Sequence, residues 1–287
     1  MTGSRMIEGG RRIRGAAAGD LPRQNDPALP LVSVITVVRN GAAGIETTIN
    51  AVLGQTYANL EYFIIDGGST DGTLDVIRRF DDQIDYWMSE PDAGLYDAMN
   101  KGIALVTDPE AYVIFANSDD RLCSPDTLAM LVSEGMGADF VYGKELLTDG
   151  EASSVMGREV TLEDLARHNI CHAASLTRRR LFDVVGRFDP RYKLVADYDF
   201  FVRCFSHPVE TRFVNRVVAN VQMFGLSETH FMQLLRERLD VIRRRYTGVP
   251  RLAAVARIYC IDIPRHFLRG QLRQHGLLSL WRAIRAM

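Results

Sequence analysis

Two adjacent carboxylates, Asp119 and Asp120, close the segment FANSDD, which follows an apolar run from Ala111 to Ala116. A short run of β-branched and aromatic residues predicts a buried strand, so the carboxylates are expected where that strand reaches the surface. Such a pair suits Mg²⁺ or Mn²⁺, which bind one or two carboxylates and share their other positions with a substrate phosphate. A solvated turn that caps the next helix explains the same two residues.

A third carboxylate, Asp66, ends another predicted strand (60–65) and is followed by Gly67 and Gly68. A carboxylate there can accept hydrogen bonds from a nucleobase, and glycine lets the backbone approach a ligand closely. A tight strand-to-helix turn with a capping residue also fits this segment. No G-x-G-x-x-G follows the first predicted strand, so the chain lacks the dinucleotide-binding fingerprint.

Three further side chains could take part in chemistry. Asp197 starts a predicted helix, where it either caps the helix or acts as a general base facing a cleft. Asp199 does not share its helix face, so at most one of the two faces the cleft. His172 lies in an apolar segment typical of a hydrogen-bonded core histidine. Lys101 follows the loop of residues 90–94 and either meets a phosphate or extends into solvent.

Alternating strands and helices would position these residues. The first half of the chain predicts strands at 31–38, 60–65, 84–88 and 111–116, separated by helices at 44–54, 73–80 and 95–106. This alternation predicts an α/β fold with a mostly parallel sheet flanked by helices, whose loops at the carboxyl ends of the strands line one cleft. Further along, we expect antiparallel strands near residues 139–143, 146 and 155, a strand at 169–176, a helix at 177–185, a helix from 196, a strand at 209–224 and helices from 228.

Composition narrows the class of protein. The 287 residues are 47% apolar with a formal net charge of −2, which gives no reason to expect nucleic acid as a partner. The four cysteines form no C-x-x-C pair, so neither a zinc ribbon nor a redox pair is indicated, and we interpret them as small buried residues in a reducing compartment. No apolar run approaches the roughly 20 residues needed to cross a bilayer, and the first thirty residues lack a hydrophobic signal region. We therefore expect a cytoplasmic protein with a disordered leader (1–30), a catalytic domain (31–228) and a helical basic extension (229–287).

The C-terminal extension alternates apolar clusters with arginines from residue 252 onward and includes Trp281. A basic amphipathic helix with tryptophan can lie in a membrane interface, which would place the protein peripherally on the inner face of the cell membrane. A helix packed on the catalytic domain with solvated arginines is the alternative.

Several segments together resemble the family 2 glycosyltransferases of the GT-A fold. IIDGGSTDGT (64–73) is similar to the second-strand motif of that family, and SEPDAGLYDAMNKG (89–102) resembles one branch of it, which serves bacterial cell-surface polysaccharide and glycolipid assembly. NSDD (117–120) stands where the family places its D-x-D element, and residues 169–172 and 186–189 resemble downstream motifs. The resemblance covers residues 31–227.

The resemblance implies a nucleotide-diphosphate sugar donor (a UDP-sugar above all), Mn²⁺ or Mg²⁺, and inverting transfer to a glycan or lipid-linked acceptor. It implies that Asp119 holds the metal with Asn117 or Asp120 assisting, that Asp66 binds the base, and that Asp197 is the catalytic base. The substrate-binding residues that it suggests are Thr36, Arg39, Asn40, Asp66, Gly67, Asp92, Lys101, Asn117, Ser118 and His172.

Two departures and two alternatives accompany this resemblance. Asn117 replaces the first aspartate of D-x-D and removes one negative charge, and Ala196 stands where the wider family often has glutamate before the base. A nucleotidyltransferase would also use a nucleotide cleft and a metal, but it needs a basic phosphate-gripping loop that is not evident after Val38. A non-catalytic nucleotide-sugar-binding subunit has no need for both Asp119 and Asp197.

Overall fold

A mixed β-sheet organises the part of the chain that the computed structural model describes, residues 6–14, 26, 28–118, 120–148, 153–222, 230–264 and 266–268. The chain divides into two compact units, Met1–Glu159 with Ile170–His230 and Val160–Asn169 with the residues from Phe231 onward. The second unit takes in the segment Val160–Asn169, which the sequence-based domain bounds place within residues 31–228.

The first unit contains all ten described strands. The elements that precede Gly135 are β1 (Ile7–Gly9), β2 (Val32–Val38), α1 (Ile45–Leu53), β3 (Leu60–Asp66), α2 (Thr73–Arg79), β4 (Tyr86–Ser89), α3 (Leu95–Leu105), β5 (Tyr112–Phe115), β6 (Arg121–Leu122) and α4 (Thr127–Gly135). The elements that follow are β7 (Phe140–Thr148), β8 (Ser153–Met156), α5 (Leu162–Leu165, in the second unit), a 3₁₀ turn (His172–Ala174), β9 (Ser175–Arg178), α6 (Leu181–Val184), α7 (Ala196–Phe205) and β10 (Thr211–Gln222).

The parallel part of the sheet is formed by β4, β3, β2 and β5 in that spatial order. Every residue of β2 is buried, as expected for a β-branched strand covered on both faces. Helix α3 lies close to this strand because Gly102 has no side chain: a Cβ there would stand 2.5 Å from Cγ2 of Ile35. The predicted α/β architecture is therefore confirmed, and the observed elements of this half begin and end within two residues of the predicted bounds.

The second half of the sheet departs from its prediction. β9 pairs antiparallel with both β5 and β7, whereas β7 pairs parallel with β10 and antiparallel with β8. The strand predicted at 169–176 is mostly a loop and a 3₁₀ turn, and the helix predicted from residue 177 begins only at Leu181. Thr177 and Arg178 pair with β5 instead, because sheet pairing between distant segments overrides local propensity.

The prediction of a disordered leader is wrong for residues 7–12. β1 pairs antiparallel with β4, and the backbone N–H groups of Arg11 and Arg12 donate to the carbonyls of Ile84 and Asp85 at 3.0 and 2.9 Å. The segment covers the outer edge of the sheet, and an exposed edge gains hydrogen bonds when a strand is added to it. Such a short strand has too little periodicity to be recognised from sequence.

The second unit is helical. α5 begins with a capping box between Thr161 and Asp164. It belongs with α8 (Phe231–Arg245) and α9 (Gly248–Arg257), which a short π-helical turn extends (Ile258–Asp262). The Tyr246 hydroxyl of this unit donates to the carbonyl of Leu162 at 3.0 Å. None of the helices among the described residues has the length and apolar character needed to cross a bilayer. Residues 269–287, including Trp281, lie outside the described residues.

Candidate functional site

The loops that follow β2 and β3 are joined to each other through Asn40. Its backbone N–H donates to the hydroxyl of Ser69 at 2.7 Å, and its side-chain oxygen accepts the backbone N–H of Thr70 at 2.9 Å. Asn40 has a left-handed backbone with φ of 53°, which asparagine tolerates better than most residues. Asn40 therefore fixes two loops at the carboxyl edge of the sheet against each other.

Asp66 joins the ends of β3 and β4. It is fully buried, and its carboxylate accepts the backbone N–H and hydroxyl of Ser69 at 3.0 and 2.5 Å and the hydroxyl of Ser89 at 2.5 Å. Because a carboxylate offers about four acceptor positions, these three contacts occupy most of them. The role of Asp66 in binding a base remains a prediction, and the structure adds a role in loop geometry.

Arg39, Gly67 and Asp92 lie together at this edge. A Cβ on Gly67 would stand 2.2 Å from Oδ2 of Asp92 and 3.4 Å from Cβ of Arg39, so a larger residue here would displace the Asp92 side chain. Asp92 accepts the backbone N–H of Gly94 at 2.9 Å, which fixes the loop before α3. Arg39 is exposed and Asp92 is half-buried, so both side chains are accessible from solvent.

Thr36 and Lys101 are not placed as free ligand-binding groups. Thr36 is fully buried within β2, with its hydroxyl 2.9 Å from that of Tyr62. The Lys101 ammonium lies 2.7 Å from the Glu90 carboxylate and 3.2 Å from the carbonyl of Pro91. Burial acts to lower the pKa of Lys101, but the hydrogen bond to Glu90 and the neighbouring carboxylates outweigh it and raise that pKa. Lys101 is therefore already paired with carboxylates before any phosphate arrives.

The side chain of Thr48 in α1 holds the loop after β5. The Thr48 hydroxyl lies 3.3, 3.0 and 3.1 Å from the carbonyl oxygens of Asn117, Ser118 and Asp120, and donates its hydrogen among them. Asp119 itself lies outside the described residues. Sequence reasoning missed Thr48, although it is the polar position among the buried residues of α1, which are Ile45, Thr48, Ile49 and Val52.

The Asp197 carboxylate has three hydrogen-bonding partners among the described residues. One oxygen, Oδ1, accepts the Tyr96 hydroxyl and the backbone N–H of Tyr198, both at 2.8 Å. The other, Oδ2, lies 3.3 Å from Nδ1 of His172. Asp197 is buried at the first turn of α7, as its sequence position predicted. Tyr96 was not among the sequence-based candidates, since nothing in a helical tyrosine indicates a partner 101 residues away.

His172 connects this carboxylate to the loop after β5. Its Nε2 lies 2.7 Å from Nδ2 of Asn117 and 3.8 Å from Oδ2 of Asp120. Burial acts to lower the pKa of His172, but the hydrogen bond with Asp197 and the charges of Asp197, Asp120 and Glu145 outweigh it and raise that pKa. His172 is thus part of the polar cluster, although its apolar sequence context is typical of a core histidine.

The donor atoms of the loop after β5 fit a hard cation. Oδ1 of Asn117 is buried and has no hydrogen-bond partner within the part of the chain that the structure describes, and Mg²⁺ and Mn²⁺ bind amide oxygens beside carboxylates. Across the described ranges, which leave out Asp119, no three His, Cys, Asp or Glu side chains are placed to hold a metal ion. A cation at this loop would therefore depend on Asp119 and on substrate oxygens.

The fold is that of GT-A glycosyltransferases. The structure is similar to S. aureus TarS 1-349 in complex with UDP-GlcNAc, with a TM-score of 0.60 and 16% identity over 80% of this chain and 73% of that one. It is also similar to the mannosyltransferase PcManGT from Pyrobaculum calidifontis in complex with GDP-Man and Mn²⁺, with a TM-score of 0.63 and 18% identity over 93% and 84% of the two chains.

Sequence comparison identifies the family. Residues 33–144 match the model of glycosyl transferase family 2. The PGL/p-HBAD biosynthesis glycosyltransferases of Mycobacterium bovis and Mycobacterium tuberculosis are each 35% identical over 226 residues, which cover 76% of this chain and 87% of the relative. The chain belongs to glycosyl transferase family 2. This confirms the resemblance and excludes the nucleotidyltransferase alternative.

We expect the Thr48→Val variant to loosen the loop after β5. The change keeps the shape of the side chain but leaves buried carbonyl groups without their donor, which costs about 1–3 kcal/mol of unfolding free energy. Urea unfolding measures this loss. Thr48→Ser keeps the hydroxyl and is the matched control. Equal stability of Thr48→Val and the parent protein would contradict the role of Thr48.

Proposed function

We propose that this glycosyltransferase moves a sugar from a nucleotide-diphosphate sugar to a hydroxyl of a glycan or lipid-linked acceptor, with inversion at the anomeric carbon. The observation that carries the proposal is the buried Asp197 carboxylate, connected through His172 to the loop that contains Asp119. One carboxylate beside a metal-binding loop suits a single displacement, which needs a base and no covalent nucleophile. The mycobacterial relatives, which are named for PGL/p-HBAD biosynthesis, support a glycolipid acceptor.

Asp197 has the acceptor positions that a general base requires. Three hydrogen bonds occupy three of its roughly four positions, so about one remains for the acceptor hydroxyl. Asp197 takes the proton of the acceptor hydroxyl while the oxygen of that hydroxyl attacks the anomeric carbon. The bond from the anomeric carbon to the diphosphate oxygen breaks in the same step. The nucleoside diphosphate leaves from the face opposite the attack, which inverts the anomeric configuration.

The diphosphate belongs at the loop after β5 in this proposal. Asp119 and the unpartnered oxygen of Asn117 would hold Mg²⁺ or Mn²⁺, which offsets the negative charge of the leaving diphosphate when it is bound. We place the nucleotide beside Arg39, Asn40 and Gly67, with the remaining acceptor position of Asp66 available to the base. A UDP-sugar is the donor that we propose: TarS is described in complex with UDP-GlcNAc, whereas PcManGT is described in complex with GDP-Man.

We expect Asp197→Asn to abolish transfer while donor binding persists. The amide keeps the size of the side chain but cannot accept the proton, and a general base contributes about 10²–10⁴-fold to a rate. Turnover is measured as UDP release from a panel of UDP-sugars with bacterial lipid extract as acceptor, and binding as the UDP-induced thermal shift. Undiminished transfer by Asp197→Asn would remove Asp197 from the mechanism, and release of pyrophosphate would contradict glycosyl transfer.

We expect Asp119→Ala to lose the Mn²⁺-dependent part of UDP binding. Removing a carboxylate from a site that already carries Asn117 in place of an acidic residue leaves too little negative charge to hold the cation. Isothermal titration with UDP in the presence and absence of Mn²⁺ measures the effect. Asp82→Ala, an exposed aspartate after α2, is the control. An unchanged response to Mn²⁺ in Asp119→Ala would show that the metal assignment is wrong.

We also propose that the second unit contacts an anionic lipid surface through an apolar stripe on α9 and the turn after it, on the inner face of the cell membrane. The stripe consists of Val249, Leu252 and Tyr259, which are 76%, 70% and 53% exposed and recur at helical spacing. Exposed arginines accompany it, at Arg245 and Arg251. Apolar side chains beside cationic ones match the chemistry of an anionic membrane interface.

We expect the double variant Val249→Glu with Leu252→Glu to bind anionic vesicles about tenfold more weakly, because two charges replace exposed apolar groups that the proposal inserts into the membrane interface. Co-sedimentation with mixed phosphatidylglycerol–phosphatidylcholine vesicles measures this, with pure phosphatidylcholine as reference. Val184→Glu, at a comparably exposed helical valine of the first unit, is the control. Unchanged vesicle binding would overturn the proposal, as would a variant that alters only the oligomeric state.

A further inference from the structure

We propose that Tyr96 is a positioning residue for Asp197, and that the loop of residues 185–188 (the bridging loop) holds the two helices that carry this pair. The inference rests on the proposed function and deepens it, because it identifies what orients the catalytic base. Tyr96 lies at the start of α3 and Asp197 at the start of α7. Their contact joins segments separated by 101 residues of sequence.

The contacts of Asp197 fix the rotation of its carboxylate. Tyr96 and the backbone of Tyr198 both donate to Oδ1, while His172 lies on the side of Oδ2. The Tyr198 contact belongs to the same helix, so it cannot set the position of α7 relative to the rest of the site. The Tyr96 hydroxyl can, because it comes from a different helix. Both Tyr96 and Asp197 are more than 90% buried, so water does not easily substitute for the phenol.

The ring of Tyr96 is itself held in place. Its centroid lies 5.4 Å from that of Phe188, and the rings of Phe115 and Phe200 lie 5.6 and 5.3 Å from Phe188. Tilted and edge-on arrangements at these distances are favourable for aromatic pairs. This ring packing therefore keeps the Tyr96 hydroxyl directed at the Asp197 carboxylate.

The bridging loop is clamped from both helices. Asn100, one turn after Tyr96 on α3, accepts the backbone N–H of Phe188 at 3.1 Å and donates to its carbonyl at 2.9 Å. Arg203 of α7 donates to the carbonyls of Val185, Gly186 and Arg187, and pairs with the fully buried Asp199 at 2.9 Å. The same two helices that provide the phenol and the carboxylate are thus joined a second time.

This arrangement gives a structural role to two sequence motifs that lie outside the reaction centre around Asp197. Asn100 belongs to the segment 89–102 and Phe188 to the segment 186–189, and both segments resemble family motifs. Among the described residues, neither side chain makes a hydrogen bond to the Asp197 carboxylate. Asn100 and Phe188 are instead hydrogen-bonded to each other. They fix the distance between the first turn of α3 and the first turn of α7.

The test is the Tyr96→Phe variant, which keeps the ring packing and removes the hydroxyl. With the UDP-sugar and lipid extract that the parent enzyme turns over, we expect kcat to fall about tenfold, since small misplacements of a catalytic group have effects of this size or larger. The KM for the donor should stay within roughly twofold, because the base contributes to the transition state and not to donor binding.

Tyr112→Phe is the matched control. The Tyr112 hydroxyl is also buried and donates at 2.7 Å, but to the carbonyl of Ala138, away from Asp197. Both variants lose a buried hydrogen bond and should lose similar thermal stability, whereas only Tyr96→Phe should lose turnover. An equal fall of kcat in both variants would show a merely structural role and overturn the proposal.

Asn100→Ala provides a second, independent test if Tyr96→Phe is poorly folded. It loosens the bridging loop while the phenol remains, so kcat should fall by a smaller factor at unchanged donor KM. Full activity in both Tyr96→Phe and Asn100→Ala would overturn the inference. If Asp197→Asn is inactive at the same time, the proposed function stands and only the positioning role fails; if Asp197→Asn is fully active, the proposed function itself fails.

Discussion

A buried carboxylate must be supplied with hydrogen-bond donors, and this requirement at Asp197 shapes the rest of the first unit. Taking a carboxylate out of water without partners would be strongly unfavourable. The partners come from the first turn of α3, from the 3₁₀ turn before β9 and from the backbone of α7. No two of these elements are adjacent in the chain, so the sheet between them has to place each at a defined distance.

The other polar groups at the carboxyl edge follow the same rule. Asp66 accepts hydrogen bonds from two serines, Asn40 joins two loops, and Thr48 holds a third loop by its carbonyl groups. The described loops are therefore arranged by contacts within the protein before a substrate arrives. A site built in this way loses less conformational freedom on binding, which leaves more of the interaction energy for affinity.

Some side chains thus have two roles at once. His172 contributes to the burial of Asp197 and also reaches Asn117, so it couples the proposed base to the proposed diphosphate loop. Among the described residues the amide oxygen of Asn117 has no hydrogen-bond partner, which is unusual for a buried polar atom.

The sequence by itself determined the family, the parallel half of the sheet and the positions of Asp66 and Asp197 at element ends, because strand and helix periodicity are local. It did not determine β1, the strand pairing of β9 or the contacts of Tyr96 and Thr48. These depend on segments that meet only after folding. Thr36 and Lys101 show the same limit. Their side-chain types suit ligand binding, but the Thr36 hydroxyl lies against that of Tyr62 and the Lys101 ammonium pairs with the Glu90 carboxylate. Only the tertiary structure decides which polar groups remain free for a substrate, because it determines which of them meet inside the protein.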